Sequence, residues 1–242
     1  MKNAVKRLVD ATIAPLVAHI WRGIAAEPRL VAAELSVVRE TMRRAVADSA
    51  DYADSRMSRA LCLRNIKKLW SHAFAARTAG GLIAEFGVWT GTSIAYFASL
   101  TKETIYGFDS FEGLREDWIG WENPKGTFSL GGTLPDVPAN VTLVKGWFDE
   151  TLPSFLHQHS EPFSFVHIDC DTYEATTIVL KLAGDRLQKG TVIVFDEYFG
   201  YRGWREGEFK AWQEFVAARG LHYDYLAFSD YAVSLVITSL GP

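Results

Sequence analysis

The spacing of apolar residues changes character near residue 80. Before it, Val31, Leu35, Val38, Met42 and Val46 recur at intervals of three and four, the period of a helix with one buried stripe. Arg39, Glu40, Arg43 and Arg44 occupy much of the opposite face, which reads as a solvated surface. The apolar stretch Thr12–Trp21, which contains His19 and is followed by Arg22, reads as a further helix and not as a signal peptide, since it lacks a convincing small-residue cleavage site. After the polar stretch Asp48–Arg59, helical spacing resumes over Leu61–Phe74. With no strand-like segment before about Thr78, residues 1–78 are expected to form a helical N-terminal arm or lid. Its apolar stripe needs a surface to cover it, either the rest of the chain or a second subunit, so a homo-oligomer built through these helices is one expectation.

From Gly80 onward, short apolar runs alternate with helical stretches. Strands are predicted at Leu82–Phe86, Thr104–Phe108, Val141–Val144, Phe163–Ile168 and Thr191–Phe195, and helices at Thr92–Leu100, Tyr173–Leu187 and Glu206–Ala218. Apolar runs alternating with helices predict a parallel sheet covered on both faces. His222–Phe228 and Tyr231–Thr238, joined by a very short turn at Ser229–Asp230, predict a closing antiparallel hairpin. Residues 79–242 therefore read as one α/β domain of five parallel strands plus that hairpin. Leu114–Asn140 breaks the pattern, being rich in Gly and Pro and carrying Trp118, Trp121 and Phe128. It is either a lid or binding segment, or surface loops whose aromatics pack down.

Composition narrows the classes of function. The 242 residues are 48% hydrophobic and 22% charged, a globular balance. The 25 Lys and Arg against 29 Asp and Glu give a net charge of −4, which disfavours bulk nucleic acid or an anionic membrane surface as main partner. No apolar run approaches the ~18 residues of a membrane span. Cys62, in an amphipathic helical stretch, and Cys170, in an apolar strand, allow at most one disulfide, and these contexts suggest buried, reduced thiols in a cytoplasmic protein.

Ligands of open parallel sheets bind at the carboxyl ends of the strands. After the first strand the chain reads Glu85-Phe86-Gly87-Val88-Trp89-Thr90-Gly91-Thr92-Ser93. Gly87 and Gly91 permit a sharp turn close to a ligand, and Thr90, Thr92 and Ser93 suit the cap of a helix whose amides attract an anion. The spacing lacks the third glycine of a nicotinamide dinucleotide site. Asp109, at the tip of the second strand, suits a ribose diol, or else a plain turn. Trp147 either flanks an adenine ring or belongs to the core. His167-Ile168-Asp169-Cys170-Asp171 and Phe195-Asp196-Glu197-Tyr198 end the fourth and fifth strands. On neighbouring strands about 4.8 Å apart, four carboxylates would crowd one volume, which a hard divalent cation relieves. Alternatively Asp171, three residues before Glu174, caps the next helix. His167, among apolar residues, reads as a hydrogen-bonded core histidine.

These segments, together with Gly107-Phe108-Asp109-Ser110-Phe111-Glu112-Gly113 and Gly203-Trp204-Arg205-Glu206-Gly207-Glu208-Phe209-Lys210-Ala211, resemble the macrocin O-methyltransferase family, a branch of the class I S-adenosylmethionine-dependent methyltransferases. The similarity runs from about Met57 to the C-terminus. It implies a Rossmann-like seven-stranded sheet whose last strand is antiparallel, S-adenosylmethionine as methyl donor, and Mg²⁺ at the acidic cluster. It also implies that Glu85, Gly87 and Gly91 line the donor's methionine end, beside the cap residues Thr90, Thr92 and Ser93 already expected to face the donor. Asp109 then holds its ribose, and Ser110, Trp147 and Asp169 are further candidates for contact with the donor. Asp169, Asp196 and Glu197 match metal positions, and Asp171 a catalytic base beside Asp169. Members often carry a second Asp where Glu197 stands. The expected function is O-methylation of a small hydroxylated molecule such as a sugar or glycoside. The alternatives are a nicotinamide-dependent oxidoreductase and a non-catalytic cofactor-binding scaffold.

Overall fold

The protein is described as a computed structural model covering residues 36–241. The helix expected at Thr12–Trp21 and the stripe positions Val31 and Leu35 lie outside the described residues. Helix α1 (Val37–Arg56) carries the rest of the stripe, and Val38 and Val46 remain 68% and 53% exposed. Arg43 and Arg44 both donate to Glu40 and stand in solvent, as a solvated face requires. No helix among the described residues is long and apolar enough to cross a membrane.

Residues from Ala45 onward form one compact unit around a sheet. Its strands are β1 (Leu61–Cys62), β2 (Leu82–Phe86), β3 (Ile105–Asp109), β4 (Val141–Lys145), β5 (Phe163–Ile168), β6 (Val192–Phe195), β7 (His222–Phe228) and β8 (Val233–Ser239). They lie in the order β1-β7-β8-β6-β5-β2-β3-β4. β8 is antiparallel to both neighbours, and all other pairings are parallel. The sheet thus has eight strands where seven were expected. The extra one, β1, is a two-residue exposed edge against Ala227 and Phe228, too short to interrupt the helical periodicity read over Leu61–Phe74.

The central strands β2, β5 and β6 are buried along their whole length, which is why their sequences are mostly apolar, and the polar Glu85, Ser164 and His167 within them are hydrogen-bonded. Helix α2 (Ile66–Ala75) is not separate from this core, since it places Leu69, Trp70, Ala73 and Phe74 in one cluster with Ile83, Phe97 and Phe165. The remaining helices are α3 (Thr92–Ser99), α4 (Phe148–Gln158), α5 (Tyr173–Ala183) and α6 (Glu208–Arg219). Sequence reading missed α4 because Pro153 stands inside it, where proline normally ends a helix. Leu152 and Phe155 nevertheless bury its inner face.

Strand order reverses around β2: the chain passes outward to β3 and β4 on one side, then returns to β5 and β6 on the other. The loops after β2 and β5 therefore flank the switch point, where such sheets bind ligands. Gly87 makes their close approach possible. It has φ +91°, and a Cβ there would stand 1.6 Å from the backbone oxygen of Asp169. We predict that Gly87→Ala costs at least about 3 kcal/mol of stability, beyond the usual 0.5–3 for a point substitution. Chemical denaturation checks this, and a loss below about 1 kcal/mol would show that the two loops can part freely.

Candidate active site

A cavity of about 420 Å³ opens at the switch point. That volume lies within the usual range for small-molecule sites. Its wall on the β2–β3 side includes Gly87, Thr90, Thr92, Ser93, Asp109 and Ser110, and Trp147 contributes from the end of β4. Asp169, Asp171, Asp196 and Glu197 line the β5–β6 side. The structure therefore brings most of the sequence-predicted residues to one place.

Two expected donor residues do not reach the cavity wall. Glu85 is only 1% exposed, accepting from Ser93 Oγ at 3.0 Å and facing His167 Nδ1 at 2.9 Å. Burial raises its pKa, against the pull of His167 and Ser93. Gly91 is buried at the N-cap of α3 with φ +82°. No side chain caps that helix, contrary to the role expected for Thr90, Thr92 or Ser93. Thr90 and Thr92 instead face each other at 3.3 Å.

Asp109 accepts from the Val88 and Trp89 amides, each at 2.8 Å, through Oδ2, and from the Phe111 amide at 2.7 Å through Oδ1. It fastens the loop after β2 to the loop after β3. Of about four lone-pair sites on a carboxylate, three are engaged, leaving one for a ribose hydroxyl where the sequence suggested two. Ser110 Oγ accepts the Glu112 amide at 3.1 Å. Trp147 lies under Arg115, whose guanidinium is 4.2 Å from the ring centroid and forks onto Asp149. Leu114–Asn140 satisfies both of its readings: Trp118 and Phe128 line the cavity, while Trp121 packs on Tyr201 and Tyr231.

The acidic side departs from the expected grouping. One oxygen each from Asp169, Asp171 and Glu197 lie within 4.8 Å of one another. Asp196, expected as the third metal ligand, lies outside that group, and its Oδ1 accepts from Trp70 Nε1 at 3.3 Å and faces His167 Nε2 at 3.4 Å. Asp171 does not cap α5. Thr172 does, accepting the Ala175 amide and donating to Glu116. Asp171 is thereby left in the left-handed region at φ 67°, a costly conformation of the kind that gathers at functional sites.

Glu208, inside a motif noted in the sequence but given no role there, proves to be a further acid of this cluster. It is 0% exposed and accepts the Glu197 amide at 3.3 Å. Only the fold could reveal this, because eleven residues separate the two. Glu197 Oε2 and Glu208 Oε1 are buried with no hydrogen-bond partner among the described residues. Orphaned buried carboxylate oxygens are expensive, and three hard oxygen donors beside them suit Mg²⁺. The residues present therefore fit a divalent cation.

Withdrawal from water, followed by the charges of Asp196 and Asp109, pushes the Asp171 carboxyl up to about 8. Burial and then Asp196 raise Asp169, burial and then Asp169 and Asp196 raise Glu197, and burial with Asp171 and Asp196 raises Glu208. Burial opposes a charged His167, but Asp196 and Glu85 on its two sides outweigh it and lift its pKa.

The comparisons with known proteins agree with this geometry. Residues 84–198 match the family model described as a methyltransferase domain. A curated relative from Streptomyces olivaceus, 8-demethyl-8-(2,3-dimethoxy-alpha-L-rhamnosyl)-tetracenomycin-C 4'-O-methyltransferase, is 26% identical over 144 residues, covering 49% of this chain and 53% of that protein. The chain thus matches only about half the length of that relative. Among solved structures, the calicheamicin methyltransferase CalS11 has TM-score 0.57 at 23% identity, covering 82% of this chain and 91% of that one. The O-methyltransferase NovP has TM-score 0.55 at 20% identity, covering 72% and 81%. At such identities the structural likeness speaks for the fold. It is the class I methyltransferase sheet, with β1 added at its edge.

The raised carboxyls give the protein a signed pH dependence. Between the ordinary Asp value of 3.8 and about 8, the folded protein binds more protons at Asp171 than the unfolded chain does, so stability falls as pH rises. In chelator, the melting temperature is expected to drop steadily from pH 5 to pH 8. Millimolar Mg²⁺ should recover most of that loss at pH 8 and little at pH 5. A melting temperature that rises over this window in chelator would contradict the buried-acid picture.

Proposed function

We propose that this chain is an S-adenosylmethionine-dependent O-methyltransferase that acts on a hydroxyl of a small molecule, a sugar, glycoside or other natural-product intermediate, with Mg²⁺ at its acidic cluster. The observation that carries the reading is the convergence of Asp169, Asp171, Asp196 and Glu197 on the same cavity as the Gly87 turn. The match to a methyltransferase model favours it over a nicotinamide-dependent oxidoreductase. The relative named for a rhamnosyl 4'-O-methyltransferase supports a sugar hydroxyl.

The donor would lie against Gly87, Thr90, Thr92 and Ser93, with Asp109 and Ser110 toward its ribose and Trp147 beside its adenine. Its sulfonium supplies an activated methyl group. A protonated alcohol is a poor nucleophile toward such a group, so the site must lower the cost of removing the proton. Asp169 and Glu197 of the close acidic group would hold the cation together with Asp196, whose Oδ1 alone is engaged by protein donors, and the cation when bound acidifies and orients a hydroxyl. Asp171 would accept the hydroxyl proton, and a carboxyl pushed up to about 8 suits that task near neutral pH. Asp169, whose backbone oxygen lies against the Gly87 turn and whose carboxylate belongs to the acidic group, would set the donor beside the acceptor. The free thiols of exposed Cys62 and buried Cys170 fit a cytoplasmic setting.

Two outcomes test this reading. S-adenosylhomocysteine is expected to raise the melting temperature of the full chain, whereas NAD leaves it unchanged; the reverse result would favour the oxidoreductase. Asp171→Asn is expected to lower methyl transfer to a glycoside acceptor by about 10²–10⁴-fold, the usual contribution of a general base. Calorimetry should show S-adenosylhomocysteine binding retained in that variant. Undiminished turnover in Asp171→Asn would remove it from the base role.

A further inference from the structure

Ser93, Glu85, His167, Asp196 and Trp70 are joined end to end by hydrogen bonds, with Glu85 and His167 buried behind the cavity wall that the other three help to form. The sheet register creates this row. Glu85 pairs with His167 across β2 and β5, His167 pairs with Val194 across β5 and β6, and Asp196 lies two residues beyond Val194, on the same face. Trp70 enters from α2 and closes the row. The His167 ring is wedged between Phe97, at 5.1 Å, and Trp70, at 5.8 Å, so it has little freedom to turn away.

The two ends of Asp196 are treated differently. Oδ1 receives both Trp70 Nε1 and His167 Nε2, while no donor among the described residues reaches Oδ2. A carboxylate turns easily about its last bond, and a site that needs one oxygen in a fixed direction must suppress that rotation. We propose that Trp70 and His167 are positioning residues for the cation site, pinning Asp196 by Oδ1 so that Oδ2 is presented to the ion. The proposal rests on the function proposed above. It gives a purpose to a buried histidine and to the N–H of an indole at the cavity wall. Outer partners of metal ligands commonly account for 10–100-fold in affinity.

The test is calorimetric titration of MgCl₂ into the full chain saturated with S-adenosylhomocysteine, comparing wild type with Trp70→Phe, which keeps an aromatic ring and removes only the N–H donor and part of the packing. The expected result is a Mg²⁺ Kd about tenfold weaker, with the S-adenosylhomocysteine Kd unchanged within twofold. His167→Gln is expected to weaken Mg²⁺ at least as much. In an Asp196→Asn background, Trp70→Phe should add nothing to the loss, since its partner has gone. A purely structural role would lower the melting temperature and leave the Mg²⁺ Kd alone; that result overturns the inference while the proposed function stands. An additive loss in the Asp196→Asn background overturns it too. Wild-type protein that binds no Mg²⁺ overturns the metal reading and this inference together.

Discussion

Like charges brought together out of water are the constraint around which this molecule is arranged. Two adjacent parallel strands end in Asp169 and Asp171 on one side and Asp196 and Glu197 on the other, and α6 adds Glu208 behind them. Withdrawn from water at this range, such groups must share protons, find donors or bind a cation. The fold supplies part of the answer itself. Trp70 and His167 donate to Asp196, and the Glu197 amide donates to Glu208. Glu197 Oε2 and Glu208 Oε1 are left without partners among the described residues, so the compensation from protein groups is incomplete.

The second constraint is the meeting of loops at the switch point. Gly87 lets the loop after β2 pass against the backbone of Asp169, and Asp109 ties that same loop to the end of β3. A donor seated on the glycine turn would therefore lie next to the acids by construction. The segment after β6 is anchored as well: Arg205 forks onto Asp48, the Gly200 amide donates to Ser49 Oγ, and Tyr52 reaches the hydroxyl of Tyr225. The second half of α1 thus braces the stretch that joins Glu197 to Glu208.

How much of this could be read from the sequence depended on how local each signal is. The runs Leu82–Phe86 and Phe163–Ile168 announce buried parallel strands because every side chain in them is covered. Helix α4 was hidden by Pro153, and β1 by being two exposed residues long. The acids at the strand tips were legible because parallel neighbours must bring their ends together. Which acid faces which was not legible. Thr172 takes the cap that Asp171 could have taken, and Asp196 turns toward a tryptophan 126 residues earlier in the chain. Glu85 carried a strong signal for importance and a misleading one for role: it supports His167 from below instead of lining the cavity.

The central claim is that the crowded carboxylates form a cation site beside the donor turn. Anomalous scattering from a crystal grown with MnCl₂ and S-adenosylhomocysteine tests it most directly. The account predicts a single strong peak within about 2.2 Å of carboxylate oxygens from Asp169 and Glu197, with Asp196 Oδ2 among the ligands, adjacent to nucleoside density against Gly87. An empty acidic cluster in such a crystal, or a peak held by other residues, would contradict it.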